Sequence, residues 1–248
     1  MKAMIFAAGL GTRLRPLTDD RPKALVEVAG RTMLELTLSR LRGFGVDEVI
    51  VNTHHYGEMI AEYLHAHRNF GMSIVLSHEP VLLETGGGLK NAASFFLDSV
   101  GDRGADFVLH NVDILSTIDV CQMLRRHAAT GALATVAVQR RASSRQLLFD
   151  GGGQLCGRRT ASETQLVCEG ADAHELAFCG IHVVSTRIFE KLTEEGAFPI
   201  IDTYLRLAAR GEKILAFEGG DAYWRDLGRP ESIEQAADDI AAGRYSAP

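Results

Sequence analysis

The sequence predicts an α/β fold in which helices cover both faces of a doubly wound, mostly parallel sheet. The first observation behind this prediction is that short apolar runs alternate with helix-type periodicities through residues 1–139. The second is composition, because 248 residues with 46% hydrophobic and 23% charged residues can bury a sizeable core. Such alternation implies right-handed crossovers between parallel strands, so ligands are expected at the carboxyl ends of the strands.

The apolar runs are short enough to be buried strands, and the segments between them have helical spacing. Thr32 and Glu35 form a capping box, and Leu34, Leu38 and Leu41 follow on one helical face. The predicted strands are residues 4–6, 49–51, 74–76, 107–109 and 133–138, and the further predicted helices are residues 56–66, 88–97 and 118–128.

After Gln139 the pattern becomes richer in strands, and we expect a small β-rich subregion there. Residues 150–153 (DGGG) separate two strand-like pieces, which indicates a hairpin. Residues 212–219 and 221–228 are expected to pair as two closing strands. The remaining predicted elements are a strand at 175–185, helices at 185–192 and 199–211, and a last helix from Pro230 to about residue 242.

The charge and the cysteines exclude several classes of protein. A net charge of -6 argues against non-specific binding to nucleic acid, because the chain offers no pervasive cationic surface to a polyanion. The four cysteines lack zinc-type spacing and are expected to be reduced. The first apolar run is too short for a signal peptide or a membrane span. We therefore expect a cytoplasmic protein with no nucleic-acid or membrane partner.

The stretch "AAGLGTRLRPLT", directly after the first predicted strand, is a glycine-rich cationic loop. It is not a dinucleotide fingerprint, because Leu14 stands where the third glycine is required, and it lacks the Gly-Lys-Ser/Thr of a Walker A loop. Gly9 and Gly11 let backbone N–H groups approach phosphate oxygens. Arg13 offers a bidentate fork and Lys23 a compact charge, so the segment is typical of a polyphosphate site.

A second glycine cluster, "LETGGGLKNA", is expected at a strand-to-helix junction. Residues 86–88 are three consecutive glycines, which leave bare backbone for a flat ring or a ribose. Glu84 and Thr85 are expected to order this turn or to bind the ligand. The alternative is a flexible entry to the helix.

Two aspartates follow predicted strands. Asp113, in "HNVDIL", comes just after a buried run, and Asp226, in "YWRDLG", ends the last predicted strand. A magnesium ion on a nucleotide takes one or two carboxylates, together with phosphate oxygens and waters. Each aspartate alone is equally well explained as a turn residue. Together with the cationic loop, the pair indicates nucleotidyl or phosphoryl transfer.

These motifs resemble those of a known family. The segment "FAAGLGTRLRPLT…RPKAL" is similar to the signature of the sugar-1-phosphate nucleotidylyltransferases, and "LETGGGLKNA", "HNVDIL", "FCGIHVVS" and "YWRDLG" follow in the family's order. "LETGGG" is most similar to N-acetylmuramate-1-phosphate uridylyltransferases and to short mannose- or heptose-1-phosphate guanylyltransferases. The resemblance implies one Rossmann-like nucleotidyltransferase domain over residues 1–248. Its nucleotide-binding part is at about 1–139, its sugar-phosphate-binding part at about 140–228, and a helix follows residue 229.

The resemblance also implies a reaction in which a sugar 1-phosphate attacks the α-phosphorus of an NTP in line and pyrophosphate leaves, assisted by Mg²⁺. The implied catalytic residues are Arg13, Lys23 and Asp113, and the implied metal ligands are Asp113 and Asp226. Arg13 stabilises the β- and γ-phosphates, and Lys23 bridges the α-phosphate and the sugar phosphate. The implied nucleotide-binding residues are Ala7, Ala8, Gly9, Gly11, Thr12, Arg13, Glu84, Gly86 and Gly87, and the implied sugar-phosphate-binding residues are Lys23, Asn111 and Gly180.

Three features depart from the family pattern. Ala24 replaces a proline after Lys23, which we expect to loosen the loop. Val112 stands where a small residue is usual, and its branched side chain is expected to press on the metal loop or the sugar. The segment that supplies a sugar-phosphate lysine in many family members has no counterpart, and Arg158 and Arg159 lie in roughly that region.

Several functions share these motifs. We expect uridylyl transfer to N-acetylmuramate 1-phosphate or a similar hexose 1-phosphate, by a monomer or a homodimer. The alternatives are mannose- or heptose-1-phosphate guanylyl transfer, cytidylyl transfer to a non-sugar phosphate such as phosphocholine, and an inactive sugar-nucleotide sensor. A sensor typically loses the catalytic lysine or a metal aspartate, whereas Lys23, Asp113 and Asp226 are all present, which favours an enzyme.

Overall fold

The computed structural model describes residues 1–98, 104–168 and 172–246. The strands in these residues are β1 (Lys2–Phe6), β2 (Glu27–Val28), β3 (Arg31–Thr32), β4 (Glu48–Thr53), β5 (Ser73–His78), β6 (Asp106–Asn111), β7 (Ile114–Ser116), β8 (Ala134–Gln139), β9 (Arg145–Phe149), β10 (Leu155–Thr160), β11 (Thr164–Leu166), β12 (His174–Ser185), β13 (Ile214–Glu218) and β14 (Trp224–Asp226). The α-helices are α1 (Met33–Gly43), α2 (Gly57–Ala66), α3 (Glu84–Asn91), α4 (Ala93–Leu97), α5 (Val120–Thr130), α6 (Ile200–Ala208) and α7 (Pro230–Ala241). Short 3₁₀-helices cover Thr12–Leu14, Lys23–Leu25, Arg68–Gly71 and Thr186–Lys191.

The predicted α/β fold is confirmed, and most elements lie where the sequence pattern places them. The five apolar runs correspond to β1, β4, β5, β6 and β8. The capping box is formed as predicted, because the Glu35 N–H donates to Thr32 Oγ1 at 3.1 Å at the start of α1. In the part of the chain that the structure describes, every helix is too short or too polar to cross a bilayer.

The chain divides into two compact units. Unit 1 contains Met1–Glu84, His110–Ile118 and Ala222–Pro248, and unit 2 contains Thr85–Leu109 and Asp119–Asp221. Each unit therefore combines segments that are far apart in sequence. The sequence-based division at about residue 139 into two functional parts of a single domain stays a prediction.

Unit 1 is built on three parallel strands. β1 pairs with β4, with Met4 opposite Ile50, and β4 pairs with β5, with Ile50 opposite Val75. The central residues of β1 and β4 are almost completely buried, because helices cover both faces of a parallel sheet. The parallel register brings the carboxyl ends of the three strands to one edge, where the chain enters the loops that follow Phe6 and Thr53.

Unit 2 contains a β-rich region, as predicted for the chain after Gln139. The long strand β12 pairs antiparallel with both β8 and β9, and β9, β10 and β11 continue as an antiparallel meander. The predicted hairpin turn is present between β9 and β10, where the Asp150 carboxylate accepts from the N–H groups of Gly152 and Gln154, each at 2.9 Å. A side chain that bonds its own turn explains why this glycine-rich segment forms a hairpin.

The predicted closing strand pair is wrong. β13 pairs with β8 in parallel within unit 2, and β14 pairs antiparallel with β7 within unit 1. β13 buries Ile214 and Phe217 beside the fully buried strand β8. Burial of apolar area stabilises the pairing of β13 with β8 more than a pairing with β14, which is only close in sequence.

The predicted strand-to-helix junction at residues 86–88 also needs correction, because these glycines lie inside α3, which begins at Glu84. The N–H groups of Gly86 and Gly87 donate to the Phe198 carbonyl at 2.8 and 3.3 Å. A Cβ on Gly86 would lie 2.3 Å from the Phe198 ring. Glycine at this position therefore permits the close approach of another chain segment.

Helix α7 is fixed to β14 through one buried carboxylate, Asp239. It accepts from Tyr223 Oη at 2.7 Å, from Arg225 Nη2 at 2.5 Å and from Arg244 Nε at 2.7 Å. The hydrogen bond from Tyr223, with those from Arg244 and Arg225, lowers the pKa of Asp239 to about 2 against the opposing effect of burial. Burial and the bond to Asp239 raise the pKa of Tyr223 to about 12. The carboxylate is thus held ionised by donors from three residues.

We predict that Asp239→Asn lowers stability by about 2 kcal/mol, because charge-assisted hydrogen bonds to a buried group are lost. For a chain of this size the loss corresponds to a decrease of about 4 to 8 °C in Tm. The folded-state pKa is lower than the ordinary value of 3.8, so this contribution is full above about pH 4 and is lost as pH falls towards 2. The difference in Tm between wild type and variant should therefore be smaller at pH 3 than at pH 7.

Asp238→Asn is the matched control, because Asp238 is exposed on the same helix. An equal decrease in Tm for both variants, or a difference that does not change with pH, would contradict the role given to Asp239.

Candidate functional site

The carboxyl ends of the three parallel strands of unit 1 are tied together by two buried side chains, Asn52 and Glu79. Asn52 Oδ1 accepts from the N–H groups of Ala7 at 2.7 Å and Ala8 at 3.3 Å, at the start of the cationic loop. Asn52 Nδ2 donates to Glu79 Oε1 at 2.7 Å, and Glu79 Oε2 accepts from the Leu83 N–H at 3.0 Å. Neither residue belongs to the site predicted from the sequence. The available signal was a polar residue at a strand end, because Asn52 directly follows the apolar run 49–51 and Glu79 directly follows β5.

The cationic loop turns at Gly11, which has φ of 63° and precedes the 3₁₀-helix Thr12–Leu14. The Gly11 carbonyl accepts from Thr18 Oγ1 at 2.9 Å, and a Cβ at this position would lie 3.2 Å from Lys23 Cβ. A side chain is therefore disfavoured by the backbone conformation and by the neighbouring chain. This glycine brings the start of the loop against Lys23.

Lys23 makes an ion pair with Asp113 across 90 residues of sequence, with 2.8 Å between Nζ and Oδ2. Their side chains are 15% and 12% exposed, so the pair is largely screened from solvent. Lys23 begins the 3₁₀-helix Lys23–Leu25, and the following Ala24 is fully buried. The Val26 N–H donates to the Lys23 carbonyl at 3.1 Å, so the segment is ordered although a proline is absent after Lys23.

Asp226 lies beside Asp113 because their strands pair. Asp226 is opposite Ile114 in the β7–β14 ladder, and the Leu227 N–H donates to the Asp113 carbonyl at 2.8 Å. Asp226 Oδ1 accepts from the Gly228 N–H at 2.6 Å. The two carboxylates predicted as a pair are therefore presented from adjacent backbone segments.

Gly228 is a further site residue that sequence analysis missed. A Cβ on Gly228 would lie 2.7 Å from Asp226 Oδ1 and 2.8 Å from Arg13 Nη2. The Arg13 guanidinium and the Asp226 carboxylate therefore both lie close to this glycine. Its presence in the "DLG" segment was the available signal, but only the close approach of Arg13 explains it.

The turn between β6 and β7 carries the remaining candidate residues of unit 1. Asn111 is half-buried at the end of β6, and the Val112 N–H donates to the Phe6 carbonyl at 3.2 Å. The Val112 side chain is 1% exposed and is accommodated in the core of unit 1. Burial lowers the pKa of the neighbouring His110 to about 4, so its ring is neutral and adds no positive charge to this turn.

Of the other predicted site residues, Gly9 and Glu84 belong to unit 1, and Gly86, Gly87 and Gly180 belong to unit 2. Glu84 begins α3 with φ of 57°, and the Thr85 hydroxyl accepts from the Ile200 N–H at 3.0 Å. Gly180 has φ of 74° and lies in β12 where the register with β8 shifts. Arg158 pairs with Asp202, and Arg159 pairs with Glu175. The N–H groups of Gly86 and Gly87 are already bonded to Phe198, as described above.

The comparisons with known proteins agree with this geometry. The model of the nucleotidyl transferase family matches residues 2–147, more than half of the chain. The chain belongs to the nucleotidyl transferase family. Its predicted family, fold and enzyme class are thereby confirmed.

Individual members of the family are similar over nearly the whole chain. The N-acetylmuramate alpha-1-phosphate uridylyltransferase of Caulobacter vibrioides is 34% identical over 93% of each chain. The mannose-1-phosphate guanylyltransferase of Mycobacterium tuberculosis is 26% identical over 99% of this chain and 66% of its own length. The structure of a putative glucose-1-phosphate thymidylyltransferase from Bacillus anthracis is similar with a TM-score of 0.79 at 17% identity, covering 96% of this chain and 94% of the other. That structural similarity shows the fold.

We predict that Gly228→Ala lowers nucleotidyl transfer by about 100-fold while the protein remains folded. The added methyl group displaces Arg13, Asp226 or both, and a displacement of about 1 Å at a reacting site is enough for a loss of this size. Activity and the circular dichroism spectrum should be measured on the same preparation.

Gly151→Ala is the control, because a Cβ on Gly151 meets no atom within 4 Å. A Gly228→Ala protein with wild-type activity would contradict the requirement for a glycine beside Arg13 and Asp226.

Proposed function

We propose that this protein transfers a nucleoside monophosphate from an NTP to a sugar 1-phosphate, and that its reaction is uridylyl transfer to N-acetylmuramate 1-phosphate. The observation that carries the proposal is the cluster in unit 1, where the Lys23–Asp113 pair lies next to Asp226 and Gly228. The cluster contains two cations, Lys23 and Arg13, and two carboxylates, Asp113 and Asp226. Such a set suits a triphosphate with a hard metal ion. The choice of uridylyl and N-acetylmuramate follows the Caulobacter vibrioides relative.

The reaction requires no protein nucleophile, because the phosphate of the sugar is already anionic. Its oxygen attacks the α-phosphorus, and pyrophosphate leaves on the opposite side. In this proposal Arg13 stabilises the charge that develops on the β- and γ-phosphates, and Lys23 holds the α-phosphate and the incoming phosphate together. Positioning and charge neutralisation account for catalysis.

The donor set fits a magnesium ion. Asp113 and Asp226 supply two carboxylate groups from adjacent segments, and Mg²⁺ in nucleotide sites uses one or two carboxylates with phosphate oxygens and waters. When bound, Mg²⁺ neutralises phosphate charge. Asp113 and Asp226 would hold it. The proposed sugar-binding residues are Asn111 and Gly180. The proposed nucleotide-binding residues remain Ala7, Ala8, Gly9, Gly11, Thr12, Glu84, Gly86 and Gly87.

The ion pair also defines what Lys23 does before substrate binds. Its ammonium group neutralises Asp113, the same carboxylate that we assign to the metal. Lys23 would therefore compete with a metal ion for Asp113 in the substrate-free protein. Bound phosphates would give the ammonium group a second anionic partner, which would leave Asp113 free to hold the ion.

We predict that Lys23→Met increases the affinity of the nucleotide-free protein for Mn²⁺ by about tenfold, because a cation next to Asp113 is removed. Titration calorimetry or the electron paramagnetic resonance signal of free Mn²⁺ would measure it. Arg21→Met is the control, because Arg21 pairs with the exposed Asp20. Unchanged or weaker Mn²⁺ binding to Lys23→Met would contradict competition for Asp113.

We predict that purified protein with Mg²⁺ releases pyrophosphate with UTP and N-acetylmuramate 1-phosphate, and that Lys23→Ala reduces the rate by at least about 100-fold. A matrix of the four NTPs against a set of sugar 1-phosphates and phosphocholine tests the substrates. Turnover with GTP and mannose 1-phosphate would favour guanylyl transfer, the candidate supported by the Mycobacterium tuberculosis relative. Turnover with CTP and phosphocholine would favour the cytidylyl alternative.

Absence of pyrophosphate from every pair would contradict the enzyme proposal and favour the sensor. Equal turnover by wild type and Lys23→Ala would contradict only the role given to Lys23. The expectations of a cytoplasmic monomer or homodimer without nucleic-acid or membrane partners stay predictions.

A further inference from the structure

Unit 2 contains a cleft of about 540 Å³ between the β9–β10 hairpin and the start of α6. This volume falls in the range of small-molecule binding sites. Its residues come from the outer ends of β9 and β10, from Phe178 on β12, and from the segment that begins α6. The whole cleft therefore lies within one compact unit.

The cleft is lined by charged side chains of both signs, with one more cation than anion. Arg145, Arg158 and Arg159 line it, together with two acidic residues, Glu163 and Asp202. Arginine presents a planar fork of donors that matches a carboxylate or a phosphate. An arginine of this lining that has no acidic partner can therefore bind an anion, although the chain as a whole is negatively charged.

Arg145 is the cation available to a ligand. Arg158 Nη1 is 2.5 Å from Asp202 Oδ1, and Arg159 is bonded to Glu175 outside the lining of the cleft. The backbone N–H of Arg145 donates to Ser143 Oγ at 3.2 Å. Within the described parts of the chain, the Arg145 guanidinium has neither a hydrogen-bond partner nor an ion-pair partner.

Two buried polar atoms in the lining also lack partners among the described residues. They are Arg158 Nε, a donor, and Gln146 Oε1, an acceptor. Polar atoms that are shielded from water are costly to leave unpaired, so each is expected to have a partner. A bound molecule that offers an acceptor to Arg158 and a donor to Gln146 is a suitable one.

The cleft also has an apolar side formed by Leu147, Phe178, Pro199 and Ile201. Aromatic and aliphatic surface is suited to the C–H face of a sugar ring or to a methyl group, and the polar atoms fix its orientation. A carboxylated, N-acetylated monosaccharide combines an anion, an amide donor and acceptor, and apolar faces in one molecule.

We propose that this cleft binds a carboxylated sugar and that Arg145 pairs with its carboxylate. The identity of the sugar rests on the proposed function, because N-acetylmuramate differs from N-acetylglucosamine by a lactyl ether that carries a carboxylate. The chemistry fits two sources, the acceptor substrate and a free acidic sugar that modulates the enzyme. In either case, Arg145 gives the protein a means to distinguish acidic from neutral sugars.

The test compares two probes that differ only in the lactyl group, N-acetylmuramate 1-phosphate and N-acetylglucosamine 1-phosphate. Their dissociation constants are measured by titration calorimetry with wild type, Arg145→Gln and Arg125→Gln. Arg125 is an exposed arginine on α5 outside the cleft and serves as the matched control. Because Arg145 is exposed, its replacement leaves the core of unit 2 unchanged.

We expect wild type to bind N-acetylmuramate 1-phosphate at least about tenfold more tightly than N-acetylglucosamine 1-phosphate. Arg145→Gln should abolish most of this preference, and Arg125→Gln should retain it. Equal binding of the two probes to wild type, undetectable binding of both, or an unchanged preference in Arg145→Gln would each overturn the proposal.

Kinetics then distinguish the two sources. If the acceptor occupies the cleft, Arg145→Gln raises KM for N-acetylmuramate 1-phosphate by about the same factor as its dissociation constant. If a free acidic sugar is the ligand, added N-acetylmuramic acid changes kcat of wild type but not of Arg145→Gln.

The outcomes also separate this proposal from the proposed function. A binding preference that depends on Arg145, without pyrophosphate release from any pair, would overturn the enzyme proposal and retain the cleft. Pyrophosphate release with N-acetylmuramate 1-phosphate, without a binding preference, would overturn the cleft and retain the enzyme.

Discussion

The candidate site depends on one ion pair, between Lys23 and Asp113. It joins the cationic loop to the turn after β6, and its two side chains are largely shielded from water. A buried charge is stable only with a partner, so loss of either residue leaves the other uncompensated. The pair therefore holds the loop against the acidic turn, and Lys23 and Asp113 are already partners before any ligand binds.

The other contacts of unit 1 hold the two sides of this pair in place. On the loop side, Asn52 fixes the N–H groups of Ala7 and Ala8, and Gly11 provides the turn that brings the loop to Lys23. On the acidic side, the β7–β14 ladder presents Asp226, and Asp239 anchors the segment that carries it. Positioning of this kind is what phosphoryl-transfer chemistry requires, since the protein supplies little covalent chemistry.

Unit 2 has a different character. Its meander of antiparallel strands carries a cleft lined by arginines, and Arg158 of the meander pairs with Asp202 at the start of α6. Such hairpins change without disturbing a parallel core, because their side chains are partly exposed and their turns are local. Under the proposals above, acceptor preference can vary in this region while the phosphate chemistry proposed for unit 1 is retained, and the named relatives do differ in their sugars.

The sequence by itself determined the local features of this protein. Buried strands such as β1 and β4 are continuous apolar runs, the capping box of α1 is a four-residue pattern, and the loop with Arg13 and Lys23 is a contiguous signature. Asp113 and Asp226 were predicted because polar residues at strand ends can be recognised from the sequence alone. Each of these features depends on residues that are close in sequence, so its signal is complete in the chain.

Only the tertiary structure decided which distant segments meet. β13 and β14 are neighbours in sequence but pair with β8 and β7, because burial and register rather than proximity select a strand's partner. The glycines at 86–88 lie in a helix against Phe198, and Gly228 is needed because Arg13 approaches it. Asn52, Glu79 and Asp239 acquire their roles only from hydrogen bonds across the fold. Such contacts leave no periodic pattern in the sequence, so they become visible only when the chain is folded.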